Sequence, residues 1–176
     1  LLFVARNPVE EGDLFSSAGL SAEEGPAALA RLEASLAERG LRLQRLNGRV
    51  QLVSAPAAAP HVENFLGLEI NLRLSQAAME ALAIIAYAQP VTRPQIEAIR
   101  GVSSGSVLRT LLGAGLIEEA GRADSVGRPI LYCTTFEFLE QFGLESVGDL
   151  PPLEPPEDAE SVPALEDDEG SDGETA

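Results

Sequence analysis

The sequence is poor in the side chains that carry most protein chemistry. It contains one cysteine, Cys133, so the chain can form no intrachain disulfide and has no cysteine cluster to hold zinc. Lysine is absent, and a phosphate-binding loop of the P-loop type requires one. Histidine occurs once, as His61. These absences argue against an enzyme, and the sequence predicts neither a cofactor nor a metal site.

The remaining candidates for catalysis have structural explanations. His61 lies between a proline and a valine in an irregular segment, where a surface or capping role is expected. Cys133 ends a predicted strand after apolar residues, which favours an inert, partly buried thiol. Three pairs of adjacent acids lack a histidine or cysteine companion, and we expect solvated surface for Glu10 with Glu11, Glu23 with Glu24, and Glu118 with Glu119. A hydrolase or transferase built on them would need a pocket that unites two carboxylates.

Long apolar runs are missing as well. No run approaches the roughly 18 to 20 residues that cross a bilayer, and Leu1–Ala5 is too short for the apolar region of a signal peptide. The sequence therefore predicts a soluble, cytoplasmic protein with no membrane association. Since the first residue is Leu1 and not a methionine, the presence of residues upstream stays an open question.

Acidic residues are abundant and unevenly placed. The formal charge is −16, but residues 151–176 carry ten acidic and no basic residues, which leaves eighteen acidic and twelve basic residues, or −6, before them. The end of the chain is rich in proline, serine and glycine, with too few apolar groups to offset the entropy of ordering. We predict a disordered acidic tail over 149–176, which either only solvates the protein, or docks on a basic partner or shields against nucleic acid.

The first half of the chain predicts three helices. They are Leu1–Arg6, Val9–Ala18 and a longer helix that begins at Ser21, where Glu24 completes a capping box. One face of the longer helix collects the apolar side chains Leu29, Leu32 and Leu36. That face is expected to be buried.

A hairpin follows, with strands at Leu41–Leu46 and Arg49–Ser54. The intervening Asn47 and Gly48 form the dipeptide that best fits a type I′ turn. This register places Leu43 opposite Leu52, on the side that packs against the helices. Helices followed by a hairpin in this order are the plan of a winged-helix domain.

The same order of elements recurs in the second half. Its predicted elements are a helix capped by Ser75 that runs to Ala88, a helix capped by Thr92 with Gln95 that runs to Arg100, a helix from Ser103 or Ser104 to Leu112, strands Ile117–Ala120 and Ile130–Cys133 around a loop at Gly121–Pro129, and a last helix capped by Thr134 or Thr135. We therefore predict a mainly α fold with small β-hairpins, of the α+β class, built from two tandem winged-helix domains. The domains are expected at 1–66 and 75–148, with a linker at 67–74 and the tail at 149–176.

Winged helices often bind DNA through their third helix, so a DNA-binding transcription regulator is the alternative to a protein-binding role. Such binding gains most of its affinity from basic residues that contact phosphates. The third helix of the second half offers only Arg109. The loop of the second hairpin, the wing, adds Arg122 and Arg128, and the helix before the third adds Arg93 and Arg100. The corresponding helix of the first half has more glutamates than arginines. We expect no tight independent DNA binding, while weak contact through the second domain stays open.

An ordered series of motifs covers Leu74 to Leu153. The series is LAIIAYAQPVTRPQIEAIRGV at 82–102, VLRTLL at 107–112, GRPILY at 127–132, TTFEFLEQFGL at 134–144 and DLPPL at 149–153. It resembles the bacterial segregation and condensation protein B family. The first half resembles the family more loosely, through LLFVA at 1–5, Pro8 and GRVQLV at 48–53, and departs from it in a shortened linker to the hairpin and in Gly25 and Pro26 early in the third helix.

The resemblance implies a non-enzymatic homodimer that is paired largely through its first domains. Its second domain would bind the central region of a kleisin subunit, ScpA, which bridges the two heads of an SMC ATPase. The complex acts in chromosome condensation and segregation, so the protein would associate with the nucleoid through the SMC complex. The ATP chemistry would then belong to the SMC partner.

We expect a kleisin-facing surface on the second domain that involves Arg93, Arg109, Arg128 and Tyr132. Structural roles stay open for the same side chains. Tyr132 could pack the wing, Arg128 could form hydrogen bonds in the loop, and Arg109 could be a solvated helix residue.

Overall fold

The computed structural model describes residues 1–67 and 74–153. Most of the predicted linker, residues 68–73, and most of the predicted acidic tail, residues 154–176, lie outside the described residues. We refer to residues 1–67 as the N-terminal part and to residues 74–153 as the C-terminal part.

The described residues form helices and two small antiparallel sheets. The elements are β1 (Val9–Glu10), α1 (Glu11–Ser17), α2 (Glu24–Leu36), β2 (Leu41–Leu46), β3 (Arg49–Ser54), α3 (Ala59–Leu66), α4 (Gln76–Ala88), β4 (Val91–Thr92), α5 (Arg93–Arg100), α6 (Gly105–Gly113), β5 (Ile117–Arg122), β6 (Ile130–Thr134) and α7 (Phe136–Phe142), with 3-10 turns at Pro56–Ala58 and Val147–Asp149. The strand orders are β1-β3-β2 and β4-β6-β5. The predicted α+β class is confirmed.

The prediction of three helices before the first hairpin is wrong, because the first of them is absent. Leu1 instead begins a turn, in which its carbonyl accepts hydrogen bonds from the N–H groups of Val4 (3.0 Å) and Ala5 (3.2 Å). Pro8 disfavours helical backbone in the residue before it, and the β-branched Val9 pairs with Val50 of β3. A two-residue strand therefore replaces the start of the second predicted helix, and α1 begins at Glu11.

The longer helix follows the prediction at its start. The N–H of Ser21 donates to the Glu24 carboxylate (3.0 Å), and the N–H of Glu24 donates to the Ser21 hydroxyl (3.2 Å), which are the reciprocal bonds of a capping box. Gly25 is buried beneath the ring of Phe15, and a Cβ at this position would overlap that ring. The glycine that departs from the family pattern is thus the residue that lets α1 and α2 pack closely.

The first hairpin is confirmed, with Asn47 (φ 51°) and Gly48 (φ 77°) in the left-handed conformation of a type I′ turn. Leu43 lies opposite Leu52 as predicted. The core of the N-terminal part consists of the buried side chains Leu14, Phe15, Leu29, Leu36, Leu43 and Val50.

The capping predictions for the C-terminal part are also confirmed. Ser75 caps α4 and Thr135 caps α7 by accepting backbone N–H bonds, and Thr92 forms a capping box with Gln95. The predicted wing loop begins too early, because β5 continues through a bulge to Arg122 before the chain turns. Buried residues from α4, α5, α6, α7 and the sheet form one core, joined by Leu46 from the N-terminal hairpin.

Among the described residues, no helix has both the length and the apolar character needed to cross a membrane.

Candidate functional site

Arg93 lies at the first turn of α5, immediately after β4. Its Nε donates to the carboxylate of Glu97, one helical turn away (2.7 Å), and its Nη2 donates to the Ser103 hydroxyl (3.3 Å). Its guanidinium also lies against Gly105, where a Cβ would approach it to 3.0 Å. Two of its nitrogens are therefore engaged within the protein, which holds the guanidinium at the junction of α5 and α6.

Glu97 is the anion around which this junction is organised. One of its carboxylate oxygens accepts the backbone N–H of Ser104 (2.7 Å), the Nε of Arg93 and the hydroxyl of Ser103 (3.2 Å). The hydrogen bond from the Ser104 backbone, followed by the one from Arg93, lowers the pKa of Glu97 below its ordinary value. The carboxylate is stabilised in its charged form and serves the structure of the α5–α6 turn.

The lowered pKa predicts a pH dependence of stability. A carboxyl group with a lowered folded-state pKa stabilises the fold above its ordinary pKa, and this contribution is lost as the pH falls through the lowered value. Between about pH 6 and pH 3, wild type should therefore lose more free energy of unfolding than Glu97→Gln, which has no carboxylate to protonate. Urea denaturation across this range measures the difference.

Glu137→Gln is the matched control, since Glu137 is exposed on α7 and accepts no side-chain hydrogen bond within the described residues. It should retain the wild-type pH dependence. An identical pH dependence for wild type and both variants would contradict the role assigned to Glu97.

Arg100, one of the arginines considered for DNA contact, is a structural residue. Only 6% of its side chain is exposed. Its Nη1 donates to the hydroxyl of the fully buried Ser104 (2.9 Å), and its Nη2 lies 3.3 Å from the carboxylate of Glu80 on α4. The guanidinium therefore joins α4 to the α5–α6 turn and is withdrawn from any phosphate.

Tyr132 lies in the middle of β6, between Val91 of β4 and Glu119 of β5. It is 7% exposed and belongs to the core of the C-terminal part. Burial, with a smaller effect from the charge of Glu119, raises the pKa of its hydroxyl, and the charge of Arg93 opposes this shift. The strand pairing thus brings Tyr132 close to Arg93, and most of the tyrosine ring packs the sheet.

The other two expected partner residues lie apart from this pair. Arg109 is exposed on α6, on the opposite side from the buried Leu108 and Leu111, and forms no ion pair within the described residues. Arg128 is exposed in the wing loop with φ 41°, where its N–H donates to the Ser125 carbonyl (2.8 Å). Its own carbonyl accepts from Arg122 (3.1 Å), which shapes the wing. The structure therefore places the four residues in three locations.

The residues weighed for catalysis do not converge within the described part of the chain. His61 is exposed on α3, and Cys133 is buried, where burial and the nearby Glu118 raise the pKa of its thiol. Glu11 forms an ion pair with Arg45 (2.8 Å), and Glu118 lies 3.5 Å from Arg49. Residues 1–67 and 74–153 contain no cluster of acids, histidines and cysteines that could hold a metal.

An apolar groove on the N-terminal part was not predicted. It encloses about 340 Å³ between the first turn of the chain, α1 and α2, and its lining is almost entirely hydrocarbon, from residues that include Leu2, Phe3, Leu20, Ala28 and Leu32. Phe3 is 87% exposed at its edge. Leu32, which the helical spacing assigned to the buried face, is 38% exposed in this groove. The sequence signal was the apolar start of the chain, which we assigned to a helix.

Comparisons with known proteins agree with the resemblance. A family model described as Segregation and condensation complex subunit ScpB matches residues 1–153. The chain is 46% identical over 156 residues to segregation and condensation protein B of Moorella thermoacetica, covering 88% of this chain and 80% of the relative. It is 45% identical over 155 residues to the protein of that name from Carboxydothermus hydrogenoformans, covering 87% and 83%. The crystal structure of ScpB from Mycobacterium tuberculosis aligns with a TM-score of 0.40 at 35% identity, over 81% of this chain and 90% of that one.

Proposed function

This chain belongs to the segregation and condensation protein B family, a family of SMC-complex subunits in chromosome segregation and condensation, and from that membership we propose a specific role. The protein is a non-enzymatic, homodimeric scaffold that binds the central region of the kleisin ScpA and, through it, an SMC ATPase. It works in the cytoplasm at the nucleoid. The observation that carries the proposal is the family match over residues 1–153.

In this proposal, each of the two winged-helix domains has a separate role. The domain at 1–66 dimerises, the linker at 67–74 connects it to the kleisin-binding domain at 75–148, and the segment 149–176 is an acidic tail. The apolar groove supports dimerisation by the first domain, since contiguous exposed apolar surface marks protein interfaces. Leu1, Phe3 and Leu32 are exposed apolar side chains at that groove that a second copy would cover.

The kleisin-binding surface of the second domain includes the four expected residues in different roles. Arg109 and Arg128 are exposed and free to contact a partner. Arg93, held by Glu97, and Tyr132, packed in the sheet, shape the surface between α5 and the wing. In protein interfaces, a few exposed side chains contribute most of the contacts, and their neighbours hold the shape of the surface.

DNA binding is disfavoured by the way the arginines are paired. In the C-terminal part, Arg93 is paired with Glu97 and Arg100 with Glu80, so phosphate contacts there would depend on Arg109, Arg122 and Arg128. Duplex affinity depends steeply on the number of such contacts. The small number of available arginines favours a protein partner over tight duplex binding.

Light scattering behind size-exclusion chromatography tests the proposal. The wild-type chain should elute as a dimer of twice 18.5 kDa and shift to a heavier complex with the central segment of the kleisin from the same organism. Leu32→Glu should give a monomer, because it places a charge in the apolar groove. Arg109→Glu should remain a dimer and bind the kleisin segment roughly tenfold more weakly.

Leu41→Glu and Arg39→Glu are the controls. Leu41 is 38% exposed, like Leu32, but lies outside the groove, and Arg39 is an exposed arginine of the N-terminal part. Both variants should behave as wild type. A wild-type monomer that ignores the kleisin segment would overturn the proposed function and leave the fold intact.

A further inference from the structure

The first hairpin has two buried faces. Side chains alternate along its strands, and one face, with Leu43, Val50 and Leu52, packs in the core of the N-terminal part. The opposite face carries Arg42, Gln44, Leu46, Arg49 and Gln51, and each of these five residues contacts the C-terminal part directly or through a neighbour on this face. A hairpin at the surface of an isolated domain would leave this second face in water.

Backbone and amide hydrogen bonds attach the edge of the hairpin to the segment after α7. Strand β2 is an edge strand, and the N–H of Arg45 donates to the carbonyl of Glu145 (2.9 Å). Gln44 is 2% exposed, and its side-chain amide donates to the Leu144 carbonyl (2.8 Å). The amide of Gln51 in turn donates to Gln44 (2.8 Å) and to the Glu140 carboxylate (2.8 Å). The C-terminal part thereby satisfies polar groups that the N-terminal part leaves open.

Two arginines and one leucine complete the junction between this face of the hairpin and the C-terminal part. Arg42 forms an ion pair with Glu145 (3.0 Å), and Arg49 lies 3.5 Å from Glu118 with its guanidinium 5.6 Å from the centre of the Phe136 ring. Leu46, which is 6% exposed, is the apolar anchor in the C-terminal core. Partly exposed ion pairs contribute little each, so the two arginines add little to the strength of the junction.

Two cavities flank the junction. One encloses about 580 Å³ between the hairpin, α3 and the segment 140–145 and is lined more by apolar than by polar surface, and the other is a mainly polar cavity of about 350 Å³ beside Arg49, Glu118 and Glu137. Interfaces between parts of one chain resemble transient protein interfaces, so relative motion is expected unless the interface is large and hydrophobic. A junction held by Leu46 and a row of polar contacts can therefore open and close.

We propose that the outer face of the first hairpin is a reversible latch. When closed, it fixes the orientation of the N-terminal and C-terminal parts and covers the edge of β2 with residues 144–145. When open, the N–H of Arg45 and the Nε2 of Gln44 lose the carbonyl groups that they contact in residues 144–145, and the edge of β2 is exposed. The latch is intramolecular and does not depend on the proposed kleisin partner.

The test is a distance measurement by pulsed electron paramagnetic resonance on the full chain. Spin labels are attached at Ser35→Cys on α2 and Ser106→Cys on α6 in a Cys133→Ala background, and labelled chains are diluted with unlabelled ones so that only intrachain distances are observed. The wild type should give a dominant narrow distance from closed chains and a minor broad component from open ones. Leu46→Glu should abolish the narrow population, because it buries a charge in the C-terminal core.

Charge variants weaken the latch without changing a side chain of the C-terminal core. Glu145→Arg faces Arg42 with a like charge and should raise the ratio of open to closed chains by roughly fivefold. The exchange Arg42→Glu with Glu145→Arg should recover the narrow distance. Glu11→Arg, which breaks the ion pair to Arg45 inside the N-terminal part, is the control and should leave the distance unchanged.

Circular dichroism and thermal unfolding verify that each variant is folded. A broad distance distribution in the wild type would overturn the proposal, because no closed state would then be populated. An unchanged narrow distance in folded Leu46→Glu or in Glu145→Arg would also overturn it, because contacts other than the latch would then hold the two parts.

Discussion

Gly25→Ala is expected to lower the free energy of unfolding by about 1–3 kcal/mol. A Cβ at Gly25 would overlap the ring of Phe15, which is buried in the core of the N-terminal part. Either the ring must leave its position or α2 must move away from α1, and both changes loosen the packing around Leu29. Urea denaturation followed by circular dichroism measures the loss.

Gly12→Ala is the matched control, because the same substitution meets no atom within 4 Å in α1. Alanine is the better helix former, so this variant should be more stable than wild type by about 0.5–1 kcal/mol. The two alanine variants should thus shift the unfolding midpoint in opposite directions. Two stabilising substitutions would show that the Phe15 ring does not rest on Gly25.

The second large effect is expected for Leu111→Ala, at about 2–5 kcal/mol of lost stability. Leu111 has no exposed surface and lies in the core where α6 faces α4. Truncation removes buried methyl groups and leaves a cavity that the surrounding helices only partly close.

Leu112→Ala provides the comparison on the same helix, since Leu112 is only partly buried against that core. Its loss of stability should be clearly smaller than that of Leu111→Ala when both are measured in the same denaturant series. Equal losses would mean that the α6 side chains are not oriented as described, and would place Leu112 in the core with Leu111.

Local signals explain the parts of the fold that were predicted correctly. The Asn47–Gly48 turn, the Ser21–Glu24 box and the Thr92–Gln95 box each depend on residues within three positions of one another. The backbone geometry of such motifs is set by neighbours in the chain. Their hydrogen bonds could therefore be derived before any tertiary contact was known.

The errors arose where distant residues compete for a segment. Val9 was assigned to a helix, and pairing with Val50 draws it into a sheet. The helical spacing around Leu32 predicted burial, while the described residues leave that side chain partly open in the groove. Helical spacing identifies an apolar face, but it does not show which residues cover that face.

The four expected partner residues stay a prediction, and the structure shows where each of them lies. Arg109 and Arg128 are exposed as a partner-binding surface requires. The proximity of Tyr132 to Arg93 comes from the pairing of β4 with β6, across about forty residues of sequence, and the partner of Arg93, Glu97, could be expected from the helical spacing of four. The attachment of Arg100 to Glu80 required the packing of α5 on α4.

The alternation along the first hairpin limits how the protein can be divided into fragments. A fragment that stops at residue 67 would leave Leu46 and the buried amide of Gln44 in water, and a fragment that starts at residue 74 would lack the leucine that completes its core. The Asn47–Gly48 turn sets one register for both faces, so a slip by a single residue would exchange the apolar row and the polar row at once. The hairpin thus belongs to the packing of both parts, and neither part buries all of its apolar and polar groups without the other.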